Sequence, residues 1–587
     1  MSHLKHFGVG NFKGFKELTQ FELAPITILT GKNNSGKSSL IKSMLLLRNN
    51  PAVKPNLINR YSFEQWKIDS SELKLGSSDK FLNYETKSKK IEFELSVNNL
   101  MLPNGIISLT YNLGDNVETF EIRSFKILIN NEVIVKFDQN FLNLDYSERT
   151  LEQFIKIDFQ YFIDKIRELI PNKSEIKPSE IGEKIGLYRR FDHKQGEQEL
   201  GMKLSDLLEN NQVVVGCDNP MYPQDAQGNN WIGGAKIDIS KEDLIIIQSH
   251  LFESYKNGIL FPSAINYWGC TASFEIALQN IKNEILEVFS QDEYLLKKYE
   301  KACTHRSEGK LYLEPILHPF FEYILVFFRN LFHELQKEFS DITYLPSIRA
   351  RNERIYLVSK EGYSIQAIDE KSWDELGLVE EKEENGEIYK FYQKALNDFE
   401  IGEEIKIKTF ERTATQITII RSGREIILSD LGFGYAQLIP IIFNILIVAS
   451  KWRYWRYKKE EDISSIPCPR ILIEEPESNL HPDFQSKLAD LFVEASKKFG
   501  IQFIIETHSE YFIRRLQYLT ARKDIQPKDI SIYYFNNPAR IPHGEKQINK
   551  IEIRPDGNLS QELGTGFLDE ADNLAIKLLI LSKHQKN

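Results

Sequence analysis

The sequence predicts an α/β fold, a mixed sheet with an antiparallel β-subdomain and a mostly helical insertion. Three observations predict it. Gly31-Lys32-Asn33-Asn34-Ser35-Gly36-Lys37-Ser38 fits G-x-x-x-x-G-K-[ST] between the apolar run Pro25 to Thr30 and a helical run, Ser39 to Leu47. Two later apolar runs, Ile471–Ile473 and Phe503–Ile505, read as buried parallel strands that end in polar residues. Between 91 and 137, apolar and polar residues alternate (Ile91, Phe93, Leu95, Val97; Phe125, Ile127, Ile129; Val133, Val135), the pattern of antiparallel strands with one wet face.

The glycine-rich stretch demands its residue types. Gly31 and Gly36 let backbone N–H groups turn inward around phosphate oxygens, and the helix behind them presents its N-terminus. Lys37 reaches the β- and γ-phosphates, and Ser38 places a hydroxyl on Mg²⁺. The expected ligands are ATP and Mg²⁺. The expected ATP-binding set is Gly31, Asn33, Asn34, Ser35, Gly36, Lys37, Ser38 and Ser39.

Composition narrows the classes. At 587 residues the chain is long enough for two or more lobes, and 41% hydrophobic with 27% charged residues argues against wholesale disorder. A net charge of −10 gives no general attraction for nucleic acid, so any such contact needs a local basic patch. No run of eighteen apolar residues and no signal-peptide core is present, which leads to the expectation of a cytoplasmic protein without membrane contact. The four cysteines (Cys217, Cys270, Cys303, Cys468) are far apart and support neither zinc nor a disulfide framework.

Three segments follow: 1–140 with the P-loop and the β-subdomain, 141–340 as the helical insertion, and 341–587. Residues 1–30 read as two strands with a turn near Lys13-Gly14. The polar segment 48–90 holds Asp79, an acid that reads either as a weak candidate near Mg²⁺ or as a turn residue. The insertion shows helical runs at 151–170, 274–301 and 315–340 without sustained heptads. Inside it, Arg329 and His333 are similar to the Arg-Asn…His pair of HEPN-type ribonucleases. With three residues between them they read better as one polar helix face. A strand is expected at 342–349, and the acidic run Glu380–Glu387 reads as a solvated loop.

The final third holds the remaining motifs. Ser429-Asp430-Leu431-Gly432-Phe433-Gly434-Tyr435-Ala436-Gln437 precedes an apolar helix, Leu438 to Ala449, and glycines there offer N–H groups to an anion. Arg470 to Pro482 runs R-I-L-I-E-E-P-E-S-N-L-H-P, so Glu474 and Glu475 emerge at a strand's C-terminal end, where ligands sit in such sheets. Phe503 to Ser509 ends in Glu506-Thr507-His508. Lys451 to Lys459 interleaves Arg and Lys with Trp and Tyr. That stretch suits base stacking, a protein interface, or the solvated end of the preceding helix.

Taken in order, these motifs over 1–137 and 341–587 resemble ABC-type P-loop ATPase heads of the RecF, SMC and OLD groups. The resemblance assigns roles. Lys13, in Asn11-Phe12-Lys13-Gly14-Phe15, takes the place of a basic residue facing the phosphates, or is an exposed hairpin lysine. Gly432, Gly434 and Gln437 form the signature, which contacts the ATP of a second protomer. Glu474, where many relatives have Asp, lies on the Mg²⁺ side with Ser38. Glu475 polarises the attacking water, and His508 contacts the γ-phosphate. Gly564 to Glu570 is similar to the closing G-F-x-D-E segment of OLD-like ATPases, while the V-E-G-x-x-D/E motif of the Toprim nuclease domain does not follow.

The resemblance further implies a homodimer, or higher even oligomer, closed around two ATP molecules. Its family includes DNA-repair ATPases and the ATPase subunits of anti-phage systems such as Septu, PARIS and some retrons, which hold or release a separately encoded nuclease or toxin. The expected function is control of such an effector. The alternative is a DNA-bound repair or maintenance ATPase of RecF/SMC type, with nucleic-acid contact left open.

Overall fold

The computed structural model describes residues 3–50, 73–138, 342–357, 386–458, 468–537 and 541–584 with short breaks, together with isolated short segments between 155 and 339 and between 373 and 376. The chain divides into two compact units. One comprises Met1–Pro51, Trp66–Phe93 and Lys337–Asn587, the other Ala52–Gln65 and Glu94–Gln336.

In the first unit β1 (His6–Gly10) and β2 (Thr19–Glu22) form an antiparallel hairpin with His6 opposite Glu22. β3 (Ile26–Gly31) runs into the P-loop, and α1 (Lys37–Asn49) leaves it. The short α2 (Ser78–Phe81) follows, and β4 (Lys90–Val97) carries the chain across the break between units. The division between the units falls within β4, between Phe93 and Glu94.

In the second unit β5 (Gly105–Leu113), β6 (Phe120–Ile129), β7 (Glu132–Asp138) and β8 (Ile155–Ile157) are antiparallel neighbours in that order. Ile107, Leu109, Phe125, Ile127 and Val135 are buried, as the alternation predicts. β8 occupies residues expected to be helical. Its isoleucines flank Lys156, a period-two pattern, and β7 supplies the ladder it joins. Two further antiparallel pairs are described, β9 (Gln212–Val214) with β10 (Lys236–Asp238) and β11 (Arg306–Ser307) with β12 (Lys310–Leu311). The rest of the expected helical insertion lies outside the described residues, apart from helical positions at Leu331, Leu335, Glu338 and Phe339. Arg329, His333 and the core of the acidic run lie outside them too.

The first unit resumes with β13 (Ile342–Leu345), β14 (Tyr356–Leu357), α3 (Glu387–Asp398), β15 (Glu404–Phe410), β16 (Ala414–Arg421) and β17 (Arg424–Ile427). A 3₁₀ turn, Leu428–Leu431, leads into α4 (Phe433–Lys458). β18 (Arg470–Glu474), α5 (Pro482–Phe499), β19 (Gln502–Glu506), α6 (Glu510–Ala521), β20 (Ile530–Phe535), β21 (Ile548–Ile551) and α7 (Glu570–His584) complete it.

The core sheet has the order β13-β18-β19-β3-β20-β21, parallel throughout except for β21. Its inner strands are buried along their length because both faces are covered. Ile26, Ile28, Ile471, Ile473, Phe503 and Ile505 join the apolar residues of α3 to α6 in one cluster. The intervening Leu29, Leu472 and Ile504 are buried too.

α4 begins earlier and ends later than the sequence suggests. It takes in Phe433 to Gln437 and continues through 451–458, so the basic and aromatic stretch prolongs a helix. The window Phe433–Lys451 is long and apolar enough to cross a membrane, yet 72% of it is buried within the protein, which marks it as a core helix. Gly564 and Phe567 seat the chain on β20, the Phe567 ring standing edge-on to Tyr534 at 6.2 Å.

Candidate active site

The register of the parallel strands assembles the site. Glu474 pairs with Glu506 and Glu506 with Leu29, so β18, β19 and β3 deliver their C-terminal ends to one edge. The P-loop crosses that edge with positive φ at Gly31 (132°), Asn34 (59°) and Gly36 (104°). At Gly31 a Cβ would lie 2.2 Å from the Phe535 carbonyl oxygen, so only glycine fits against β20. At Gly36 the left-handed backbone alone demands glycine, and Ser39 N–H closes the first turn of α1 on the Gly36 carbonyl at 3.0 Å.

A cavity of about 240 Å³ is lined by Gly14, Asn34, Ser35, Gly36, Lys37, Ser38, Ser39 and Glu506. Of the expected ATP-binding residues, Gly31, Asn33 and Lys13 do not line it. Gly31 shapes the loop, and Asn33 is exposed. Lys37 is buried and curls back to donate to the Gly31 and Lys32 carbonyls at 3.2 and 2.9 Å. Its Nζ lies 3.8 Å from Glu506 Oε1. Burial nonetheless pulls its pKa below the ordinary lysine value. The Lys13–Gly14 turn belongs to the same neighbourhood. Lys13 N–H donates to the Phe81 carbonyl at 2.6 Å, and a Cβ at Gly14 would lie 3.6 Å from the Gly36 Cα. Burial, then the Lys42 charge, lowers the Lys13 pKa.

Acidic groups crowd the opposite side. Burial, then the neighbouring Glu506, pushes Glu474 up to about 7. Burial also raises Glu506, opposed by a hydrogen bond from Ser38 and by Lys37. Glu477 is buried and raised for the same first reason, and its Oε1 accepts the His508 N–H at 2.6 Å. Glu475 holds a left-handed backbone (φ 44°). Its N–H donates to the Glu506 carbonyl at 2.7 Å, and its Oε2 accepts from Ser478 Oγ at 3.0 Å. Desolvation first, then the Lys37 charge, holds the His508 imidazole below the ordinary histidine value.

Thr30 Oγ1, Ser35 Oγ, Glu474 Oε1, Glu477 Oε2 and Glu506 Oε2 are buried without a hydrogen-bond partner among the described residues. Buried orphans gathered at one place mark a site built for a ligand. Buried, raised carboxylates beside a serine hydroxyl fit a divalent cation in particular. Among the described residues no three His, Cys, Asp or Glu side chains form a metal cage. Mg²⁺ needs none, being held by one or two carboxylates together with phosphate oxygens and water. Ser38 and Glu474 fit that role, with Glu506 beside them.

The signature turn divides into two parts. Gly432 (φ 102°) is exposed at the N-terminus of α4, with open space where a Cβ would be. Gly434 instead packs inward, since a Cβ there would lie 2.8 Å from the Asn479 carbonyl oxygen in the loop after β18. Gln437 is buried, and its Oε1 accepts the Arg349 N–H at 3.0 Å, an internal placement that suits support of the turn. The side chains of Asp79 and of 452–458 lie outside what is described. Sequence reasoning missed Glu506, Glu477 and Arg349. Glu506 stands in the quoted strand, but only its register with Glu474 gives it a role.

This fold and site define a P-loop ATPase head of ABC-like type. The AAA ATPase domain family matches residues 3–513, and the chain belongs to that family. Residues 525–578 match a second family, described as Protein of unknown function (DUF3696). No curated protein matches the chain. Similar solved structures include the Smc head domain with an extended coiled coil bound to the C-terminal domain of ScpA, from Pyrococcus furiosus (13% identity, 98% of this chain and 100% of that one, TM-score 0.29). Another is the SmcHead bound to the C-winged helix domain of ScpA (11% identity, 94% and 98% covered, TM-score 0.32). Likeness this distant carries no further argument.

The raised Glu474 gives a pH prediction. Its folded-state pKa, about 7, lies above the ordinary 4.5, so ionisation opposes folding. That penalty is absent below the lower value and grows as pH rises through the higher one. Glu474→Gln is expected to stabilise the ligand-free chain at about pH 8 and to leave it nearly unchanged at about pH 4, read as the shift in urea midpoint. A variant less stable at the higher pH contradicts the assignment.

Proposed function

We propose that this chain binds and hydrolyses ATP, closes into a dimer or higher even oligomer around it, and thereby controls a separately encoded nuclease or toxin in anti-phage defence. The observation that carries the ATPase reading is the register that sets Glu474, Glu475 and Glu506 beside Lys37 and Ser38. The P-loop amides and Lys37 hold the β- and γ-phosphates. Glu475 takes a proton from a water as that water's oxygen bonds to the γ-phosphorus, and the bond from phosphorus to the bridging oxygen breaks, leaving ADP and phosphate. His508 donates an N–H to the γ-phosphate. Mg²⁺, held by Ser38 and Glu474, would offset phosphate charge.

Self-association is supported by the open N-terminus of α4 at Gly432, which suits a phosphate supplied by a second copy. ATP contacts then bias an open–closed equilibrium that an effector can read. The defence role rests on the family resemblance of the motifs. Its test is co-expression of the tagged chain with its genomic neighbours. A small nuclease or toxin that co-elutes supports the proposal. No bound protein, with turnover strongly stimulated by DNA, would replace it with the repair-type reading.

A further inference from the structure

Arg349, just past β13, is 1% exposed, and among the described residues its guanidinium donates to main-chain carbonyls alone. Nε reaches the Gln437 carbonyl at 3.1 Å, Nη1 reaches those of Pro346 and Glu474 at 2.9 and 2.8 Å, and Nη2 reaches that of Glu475 at 3.0 Å. Its own N–H donates to Gln437 Oε1. A buried cation with no carboxylate among its hydrogen-bond partners is costly, so the contacts it makes need a reason. They join three segments: the end of β13, the first turns of α4 behind the signature, and the two residues that carry the site's acids.

The joint bears on a strained residue. Glu475 is not glycine and yet holds φ 44°, a conformation that persists only where the surroundings over-determine it. Arg349 Nη2 and the Ser478 N–H on its carbonyl, and the Glu506 carbonyl on its N–H, are the clamps. A second tie runs parallel, where Gly434 lies flat against the Asn479 carbonyl.

We infer that Arg349 is a positioning residue that holds the general base Glu475 in its working conformation and ties that conformation to the seating of the signature turn. This rests on the ATPase reading above. Movement of the α4 N-terminus when a phosphate engages it is passed through Gln437 and Arg349 to Glu475, so hydrolysis waits on engagement of the signature.

The test is steady-state ATPase kinetics of Arg349→Lys and Arg349→Met in the full chain, with melting temperature measured alongside. One ammonium cannot span three segments, so the lysine variant should not rescue. Loss of hydrogen bonds to a charged donor predicts a fall in kcat of about tenfold to a hundredfold. KM for ATP should stay within about threefold, because the P-loop contacts are untouched. A kcat within about threefold of wild type overturns the inference, and so does a fall in kcat matched by an equal rise in KM. If the Arg349 variants do not fold, Gln437→Met removes the acceptor of the Arg349 N–H. A lowered kcat at unchanged KM supports the coupling, and wild-type kcat overturns it. An inactive wild type sinks the ATPase reading itself, and an active Glu475→Gln removes Glu475 as the base; both are seen before any Arg349 variant is compared.

Discussion

Lys37→Ala is expected to abolish ATP binding. The side chain is 3% exposed and already directed into the P-loop, so it meets the phosphates without an added ordering cost. Its present carbonyl partners are neutral, and phosphate oxygens are better ones. Removing it deletes the one cation within 4.0 Å of Glu506 among the described residues, leaving the acidic group to repel the incoming phosphates. Two lost charge-assisted contacts at about 1.5–3 kcal/mol each weaken binding by at least a hundredfold. The loop itself should persist, since its turn rests on Gly31, Asn34 and Gly36. A calorimetric titration reads the effect, and wild-type affinity would remove the P-loop assignment.

Glu475→Gln is expected to leave ATP affinity intact and cut turnover by about a hundredfold to ten-thousandfold. The amide keeps the size of the carboxylate and still offers an oxygen to Ser478, while it cannot take the water's proton. The backbone clamps on residue 475 are main-chain bonds and survive the change. Phosphate release within about threefold of wild type would show that Glu475 is not the base.

How much of this was legible beforehand depends on the range of the signal. The P-loop, the Glu474–Glu475 pair and His508 declare themselves within a few residues, because glycines at fixed spacing and carboxylates at a strand end are local features. The parallel core followed from runs such as Ile471–Ile473, which have no polar face to offer water. Glu506 was hidden for a different reason. It is one acid at a strand end until register places it opposite Glu474 and 3.8 Å from Lys37.

Arg349 was less visible still. It sits in no motif, and apart from Pro346 its carbonyl partners lie 88, 125 and 126 residues away. Gln437 was grouped with the glycines by its place in the signature, whereas packing turns it inward toward Arg349. The strand at Ile155–Ile157 lay inside a stretch of helix-forming residues, and pairing with β7 outweighed that propensity.

The claim that matters most is that each ATP site is built from two copies, the P-loop of one and the signature of the other. Mixing two inactive variants tests it directly. Lys37→Ala lacks the P-loop cation, and Gly432→Asp puts a carboxylate at the exposed signature turn. In a mixed dimer both lesions fall in one site, and the other site is wild type in every residue. Equal mixing should therefore restore turnover to about a quarter of the wild-type value, since half the dimers are mixed and each has one working site. Turnover that stays at the level of the separate variants would contradict the account.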